Sequence, residues 1–325
     1  MKACVVRYLP PADRKRSIDK AFELWPGNLP EGYIDKPDLD GERAALDIFR
    51  YWGEQRVQLT VGFLDTSDAA LRRRILAHMN AWNETARIQF VESDIDAQVR
   101  IARFTAAEAD PGYDGYWSNL GTDILLVPPD KPTMNLEAFT MNTPDAEFQR
   151  VVRHEAGHTL GFPHEHMRKE LIKRLDPAKV IAWYGASQGW SPEVVRAQVL
   201  TPLQEASIRG MADADDTSIM CYQIPGDLTL DGVAIPGGLD INDNDRAFAR
   251  RRLSAARGRR LGRFTRSRYH LQCRRGPRRS ADRRMRDDER AREARPDDGP
   301  AYGLLTRALV SAIRDVPRSE LAKLR

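Results

Sequence analysis

The sequence predicts an α+β fold built on a mixed, twisted sheet. Short runs rich in β-branched or apolar residues fall at 57–64, 88–91, 99–104 and 124–127, with a helix-spaced segment after the first and another at 145–160. Of the 325 residues, 41% are hydrophobic, enough to bury a sizeable core beneath such a sheet.

Residues 1–55 read as an N-terminal extension. Two apolar pieces, 3–9 and 21–25, are separated by Pro10, Pro11 and a charged run, and Pro26, Gly27, Pro30, Gly32 and Pro37 then punctuate an irregular connector. The first strand follows at 57–64. Ser67 or Asp68 caps a helix to about 85, with Leu71, Ile75, Leu76 and Met79 at helical spacing. Strands are expected at 88–91 and 99–104, and a fourth at 124–127, stopped by Pro128 and Pro129. A shorter strand at 133–139 has Pro132 before it, which favours the edge of the sheet. The helix over 145–160 buries Phe148, Val151, Val152, Ala156 and Leu160 and ends at Gly161.

The net charge of +4 is the difference of two unlike parts. Residues 256–325 carry net +12, nearly all from arginine, so the first 255 carry −8. The tail has little apolar material and is expected to be disordered, with a short amphipathic stretch at 302–314. The expected division is therefore an extension at 1–55, a catalytic domain at 56–255 and an Arg-rich tail at 256–325. No apolar run approaches the roughly 18 to 20 residues that span a bilayer. Three widely spaced cysteines imply no disulfide framework, and the few apolar residues after Lys2 fall short of an export signal.

The chemistry concentrates at 154–166, which reads HEAGHTLGFPHEH and holds four of the six histidines. Residues four apart on a helix share a face, so His154 and His158 present their imidazoles to one point. Glu155, about 100° further round, is placed to act as a general base without being a ligand. Gly161 permits a sharp turn, which brings His164 back to the same point. Three neutral imidazoles suit one catalytic zinc ion and leave a fourth position for water, whose proton Glu155 can take near neutral pH. His166, two residues on, is the rival ligand, expected in solvent or just behind the ligands. Asp240, Asn242 and Asn244 do not form a calcium loop, because Asp245 and Arg251 stand where glycine and glutamate are needed; a helix cap is expected instead.

The pattern H-E-x-x-H-x-x-G-x-x-H resembles the metzincin zinc peptidases. Downstream, Ser218, Ile219, Met220, Cys221 and Tyr222 resemble the S-x-M-x-Y Met-turn of the astacin branch, as do Phe162, Glu165 and Arg168 around His164. The resemblance covers about 57–255 and includes Gly115, Tyr116, Trp117, Ser118 and a last helix at 246–253. It implies a zincin-like domain with a Met-turn lower subdomain, and a zinc endopeptidase acting on protein or peptide substrates. It further implies Met220 as the floor of the site, Tyr222 as oxyanion stabiliser, and Thr133, Met134, Asn135 and Leu136 as the edge strand pairing with substrate. It points to secretion and to a propeptide at 1–55, although no aspartate-switch motif is recognisable there. Cys4 is either a zinc-blocking thiolate or an ordinary thiol. A competing reading is an inactive zinc-domain adaptor that binds nucleic acid or anionic membrane through the tail. Intact Glu155 argues for the enzyme, and nucleic acid is not expected as a partner.

Overall fold

The structure is a computed structural model that describes residues 2–26, 50–53, 56–84, 87–109, 113–203 and 213–253. The Arg-rich tail, including 302–314, lies outside the described residues. Six strands form one mixed sheet: β1 (Cys4–Arg7), β2 (Val57–Phe63), β3 (Ile88–Glu92), β4 (Val99–Ala102), β5 (Tyr116–Asn119) and β6 (Met134–Leu136), in the order β1-β5-β6-β4-β2-β3. Strands β6, β4, β2 and β3 run parallel; β5 is antiparallel to β6, and β1 is parallel to β5.

The residues explain these choices. In β2, Val57, Leu59 and Val61 are buried on one face, a period of two. Helix α1 (Arg14–Leu24) follows β1, and α2 (Ala69–Met79) follows β2. Asp68 caps α2 by accepting from the amides of Ala70 and Leu71, and Leu71, Ile75 and Met79 face the core. The long helical path beginning at 145 comprises α3 (Asp145–Glu147), a π-helical stretch (Phe148–Val152) and α4 (Arg153–Thr159). Its Phe148, Val151, Val152 and Ala156 pack in one core with Val57, Leu59, Ile75, Ile101 and Met134. A second core lies below: α5 (Lys169–Ile172), α6 (Pro177–Gln188) and α7 (Pro192–Val195) supply Leu171, Val180, Tyr184 and Val195, which gather Cys221, Tyr222, Ile224, Ile235 and Cys4. The last helix, α8 (Asp243–Leu253), returns to the first core through Ala249 and Leu253.

Three sequence expectations are corrected. Residues 124–127 form no strand; a 3-10 turn at Gly121–Leu125 stands there, because Asp123 is drawn inward. Its carboxylate accepts from Arg50 Nε at 2.6 Å and from the hydroxyl of Ser17, all three groups being buried. The strand near 133 is interior, flanked by β5 and β4 with both edges taken. Thr133, Met134, Asn135 and Leu136 are fully buried and offer no free edge to a substrate. Pro132 lies just before the strand, where its missing amide costs no ladder bond. Finally, residues 2–26 are part of the domain: β1 is a strand of the sheet, and Ser17 and Ala21 of α1 are buried.

Asp123→Ala leaves the buried Arg50 guanidinium without its counter-ion, and removing one partner of a buried pair costs about 3–5 kcal/mol. Urea denaturation of the two proteins should show a loss of that size; a change under about 1 kcal/mol means that water reaches Arg50.

Candidate metal centre and its surroundings

Helix α4 carries His154, Glu155 and His158, all buried. It ends where Gly161 takes φ +98°, the Gly161 amide donating to the His158 carbonyl (2.8 Å) and the Phe162 amide to the Gly157 carbonyl (3.0 Å). This Schellman turn reverses the chain and returns His164 to the helix face. His158 Nε2 and His164 Nε2 lie 3.1 Å apart. The ring centroids of His154 lie 4.7 Å from His158 and 5.3 Å from His164.

The fourth member comes from the far end of the sequence. Cys4 Sγ is 3.4 Å from His158 Nε2 and 3.6 Å from His164 Nε2, and the donor atoms of Cys4, His154, His158 and His164 all lie within 4.8 Å of one another. Tetrahedral zinc with ordinary bond lengths holds two nitrogens about 3.3 Å apart and a nitrogen and a sulfur about 3.6 Å apart. The observed separations of 3.1, 3.4 and 3.6 Å match those edges. Tautomers agree. His154 Nδ1 is 2.6 Å from the Ile219 carbonyl and His158 Nδ1 is 2.7 Å from that of Phe162, so each Nδ1 carries the proton and each Nε2 offers its lone pair. His154 Nε2 is buried without a hydrogen-bond partner. Burial holds the imidazoles neutral: it lowers His154 to about 4 and depresses His158 and His164 well below the usual range. The group fits one zinc ion.

Glu155 is fully buried, and beyond the adjoining Cys4 thiol no group among the described residues hydrogen-bonds its carboxylate. Burial raises its carboxyl to about 8, an effect that the neighbouring Cys4 thiol and Arg150 partly offset. Burial and the Glu155 charge raise the Cys4 thiol as well. Beside Glu155 and His154 opens a cavity of about 360 Å³ walled by Tyr116, Trp183, Ile224 and Ile235.

Below the imidazoles runs the turn from Ser218 to Cys221, closed by the Cys221 amide on the Ser218 carbonyl (2.9 Å). Met220 and Tyr222 are buried. The Tyr222 ring stands 4.4 Å from that of His164, and its hydroxyl donates to the Cys4 carbonyl. His166 is buried behind the group rather than in solvent, because its ring stacks on Tyr222 at 4.1 Å. Its Nε2 donates to the Gln198 carbonyl at 3.1 Å, and its Nδ1 accepts from the Tyr222 amide at 3.4 Å.

A solved structure of myroilysin superposes with a TM-score of 0.56 at 29% identity, over 62% of this chain and 93% of that one. The fold is that of the astacin-like metzincins. A crystal structure of myroilysin also matches at TM-score 0.45 and 25% identity, over 75% of this chain and 96% of the other. High choriolytic enzyme 1, a hatching enzyme zinc-protease of the medaka fish Oryzias latipes, matches at 0.39 and 16%, over 59% and 86%. No protein-family profile matches the chain, and no curated protein does.

Within this astacin-like fold, two supports of the site escaped the reading by motif. Gly157, an unspecified position of HExxH, lets Met220 pack close: a Cβ there would lie 2.5 Å from Met220 Sδ and 3.2 Å from the Trp82 ring, so Met220 would have to shift. Asp245 holds the turn, accepting from Ser218 Oγ (2.6 Å) and the Ile219 amide (2.9 Å), and the carbonyl of that Ile219 faces His154. The same Asp245 accepts from the Asn242 amide (3.1 Å) while Asn242 Oδ1 accepts from the Asp245 amide (2.8 Å). That reciprocal box is the helix cap expected within 240–244, with Asn242 as the cap and aspartate in the usual place of glutamate.

Gly157→Ala should therefore cost about 1–3 kcal/mol by overpacking. Met220→Ala, introduced on top of it, should be less damaging than Met220→Ala alone. Thermal melts of the four proteins read this coupling, and strict additivity would mean that Gly157 and Met220 do not press on one another.

Proposed function

We propose that the chain is a zinc-dependent endopeptidase, described here in a latent state with its own N-terminal strand in the active site. The observation that carries this reading is the convergence of three neutral imidazoles beside a buried carboxylate met only weakly, by the Cys4 thiol. Burying such a group costs several kcal/mol, an expense that a purely structural zinc site has no reason to bear. The cavity next to Glu155 supplies space for a substrate side chain.

In this reading His154, His158 and His164 hold the metal, and Met220 closes the floor beneath them. When bound, zinc supplies Lewis acidity, which acidifies water and polarises a carbonyl. Glu155 takes the proton of the attacking water and passes it to the amine nitrogen that leaves as the peptide C–N bond breaks. Tyr222 donates its phenol to the oxygen of the attacked carbonyl. Its present hydrogen bond to the Cys4 carbonyl supports that assignment, since it already grips a peptide oxygen beside the metal group. Cys4 would be the fourth residue holding the metal and would take the place that attacking water needs, which would close this state to chemistry. Release of 2–7 opens it. Nothing among the described residues favours the adaptor reading.

In protein activated by limited proteolysis, chelation should abolish cleavage of casein, and zinc should restore it. Glu155→Ala should retain one zinc per chain by elemental analysis while activity falls by at least about 1000-fold. Full activity in that variant would sink the mechanism. Latency has its own optical test. Cobalt substituted into the full-length protein should show thiolate-to-metal charge-transfer absorption that vanishes in Cys4→Ala, and the same substitution should raise basal cleavage. A cobalt spectrum identical in both proteins would remove Cys4 from the metal.

A further inference from the structure

Strand β1 crosses the site as an extended peptide, and both of its edges are taken. In a strand, the N–H and C=O of one residue face one neighbour and those of the next residue face the other. One edge of β1 pairs with β5, in the register Cys4 to Tyr116 through Arg7 to Asn119. Cys4 and Val6 have the same parity, and the polar atoms opposite β5 are theirs. The Cys4 carbonyl takes the Tyr222 hydroxyl. Val6 is held twice by one side chain: its amide donates to Gln198 Oε1 at 3.1 Å, and its carbonyl accepts from Gln198 Nε2 at 3.1 Å. The carboxamide thus stands in for the peptide group of a missing seventh strand.

Gln198 is built for that task. It is buried, on a π-helical stretch (Arg196–Leu200) that follows α7, a geometry that often marks functional positions. Its backbone carbonyl is pinned by His166 Nε2, and His166 Nδ1 and ring also fix Tyr222. One neutral imidazole therefore sets the spacing between the two groups that grip the outer edge of the peptide. These contacts go to main-chain atoms and depend on no side chain of β1, so any extended peptide could receive them.

We infer that Gln198 is a substrate-binding residue, whose carboxamide grips the backbone of an extended peptide two residues from the one at the metal group, opposite β5. The inference rests on the peptidase reading. It makes recognition at that subsite independent of side chain, and it assigns His166 as the positioning residue that holds Gln198 and Tyr222 in register.

The test uses zinc-loaded full chain activated by limited proteolysis, and a cleavable peptide carrying a single N-methyl group at each backbone position in turn. Gln198→Ala should raise KM about tenfold, equivalent to about 1.4 kcal/mol, and change kcat less than about twofold, the pattern of lost uniform binding. At one position, N-methylation should cost wild type about tenfold and Gln198→Ala almost nothing. Gln198→Glu keeps the acceptor and the size of the side chain, so it should retain that N-methyl sensitivity while binding more weakly. Fluorescence polarisation of the same labelled peptides reports binding without cleavage. Peptides that bind uncut, with the Gln198-dependent position present, would refute the peptidase reading and keep the clamp. N-methyl penalties identical in wild type and Gln198→Ala, in both assays, would overturn the clamp.

Discussion

Two hydrogen bonds to backbone carbonyls govern the centre of this molecule. An imidazole can offer a lone pair at Nε2 only if Nδ1 holds the proton, and Nδ1 holds it where an acceptor is fixed. For His158 the acceptor is the Phe162 carbonyl, presented by the turn at Gly161 that also returns His164. For His154 it is the Ile219 carbonyl, which belongs to the Met-turn more than sixty residues away. The lower subdomain is thus not merely packed beneath the helix. It sets the tautomer of a side chain on it.

From this dependence follows the otherwise puzzling investment in the turn. Asp245, at the start of α8, is buried, and its burial raises its carboxyl above the usual range even though it accepts from Ser218, Ile219 and Asn242. A surface cap would hold α8 at far less cost in desolvation. Holding the Ile219 peptide by its N–H aims its C=O at His154, and Gly157 leaves the room that lets Met220 rise against the helix. The α8 cap, the turn and the zinc helix therefore behave as one assembly.

Much of this was legible in the sequence, and for identifiable reasons. His154, His158 and Gly161 were readable because helical periodicity and left-handed backbone preference are local properties. So were a cap at Ser67 or Asp68 and another within Asp240, Asn242 and Asn244, which the structure resolves to Asp68 and Asn242. What failed was decided by partners remote in the chain. Residues 124–127 look like a strand by composition, but the buried pairing of Asp123 with Arg50 and Ser17 bends them into a 3-10 turn. Pro132 suggested an edge for 133–139, yet β5 covers that edge, and short β5, with one glycine before it, carries little strand signal of its own. Gln198 gave no sign at all. A lone glutamine in a helical stretch is ordinary, and its meaning depends on Val6 lying 192 residues away. The thiol of Cys4 was readable only as one of two alternatives, because a single cysteine carries no spacing. Its separations from His158 and His164 are what support the zinc-blocking reading.

The N-terminal strand also answers a difficulty that the sheet would otherwise face. Without β1, β5 is an exposed edge, and open edges invite pairing with other chains. A strand of four residues is a weak cover, since ordering each residue costs about 1–2 kcal/mol and a short ladder returns little net energy. β1 is strengthened at its far edge, where Tyr222 and Gln198 take its outward polar groups, and at its thiol, which lies in the metal group. On the latent reading, the metal therefore contributes to the stability of the cover as well as to the chemistry beneath it. The same two edges that hold the strand become available to a substrate when it leaves. Edge protection and active-site occlusion are then one contact set, and any peptide displacing β1 must satisfy the same backbone groups.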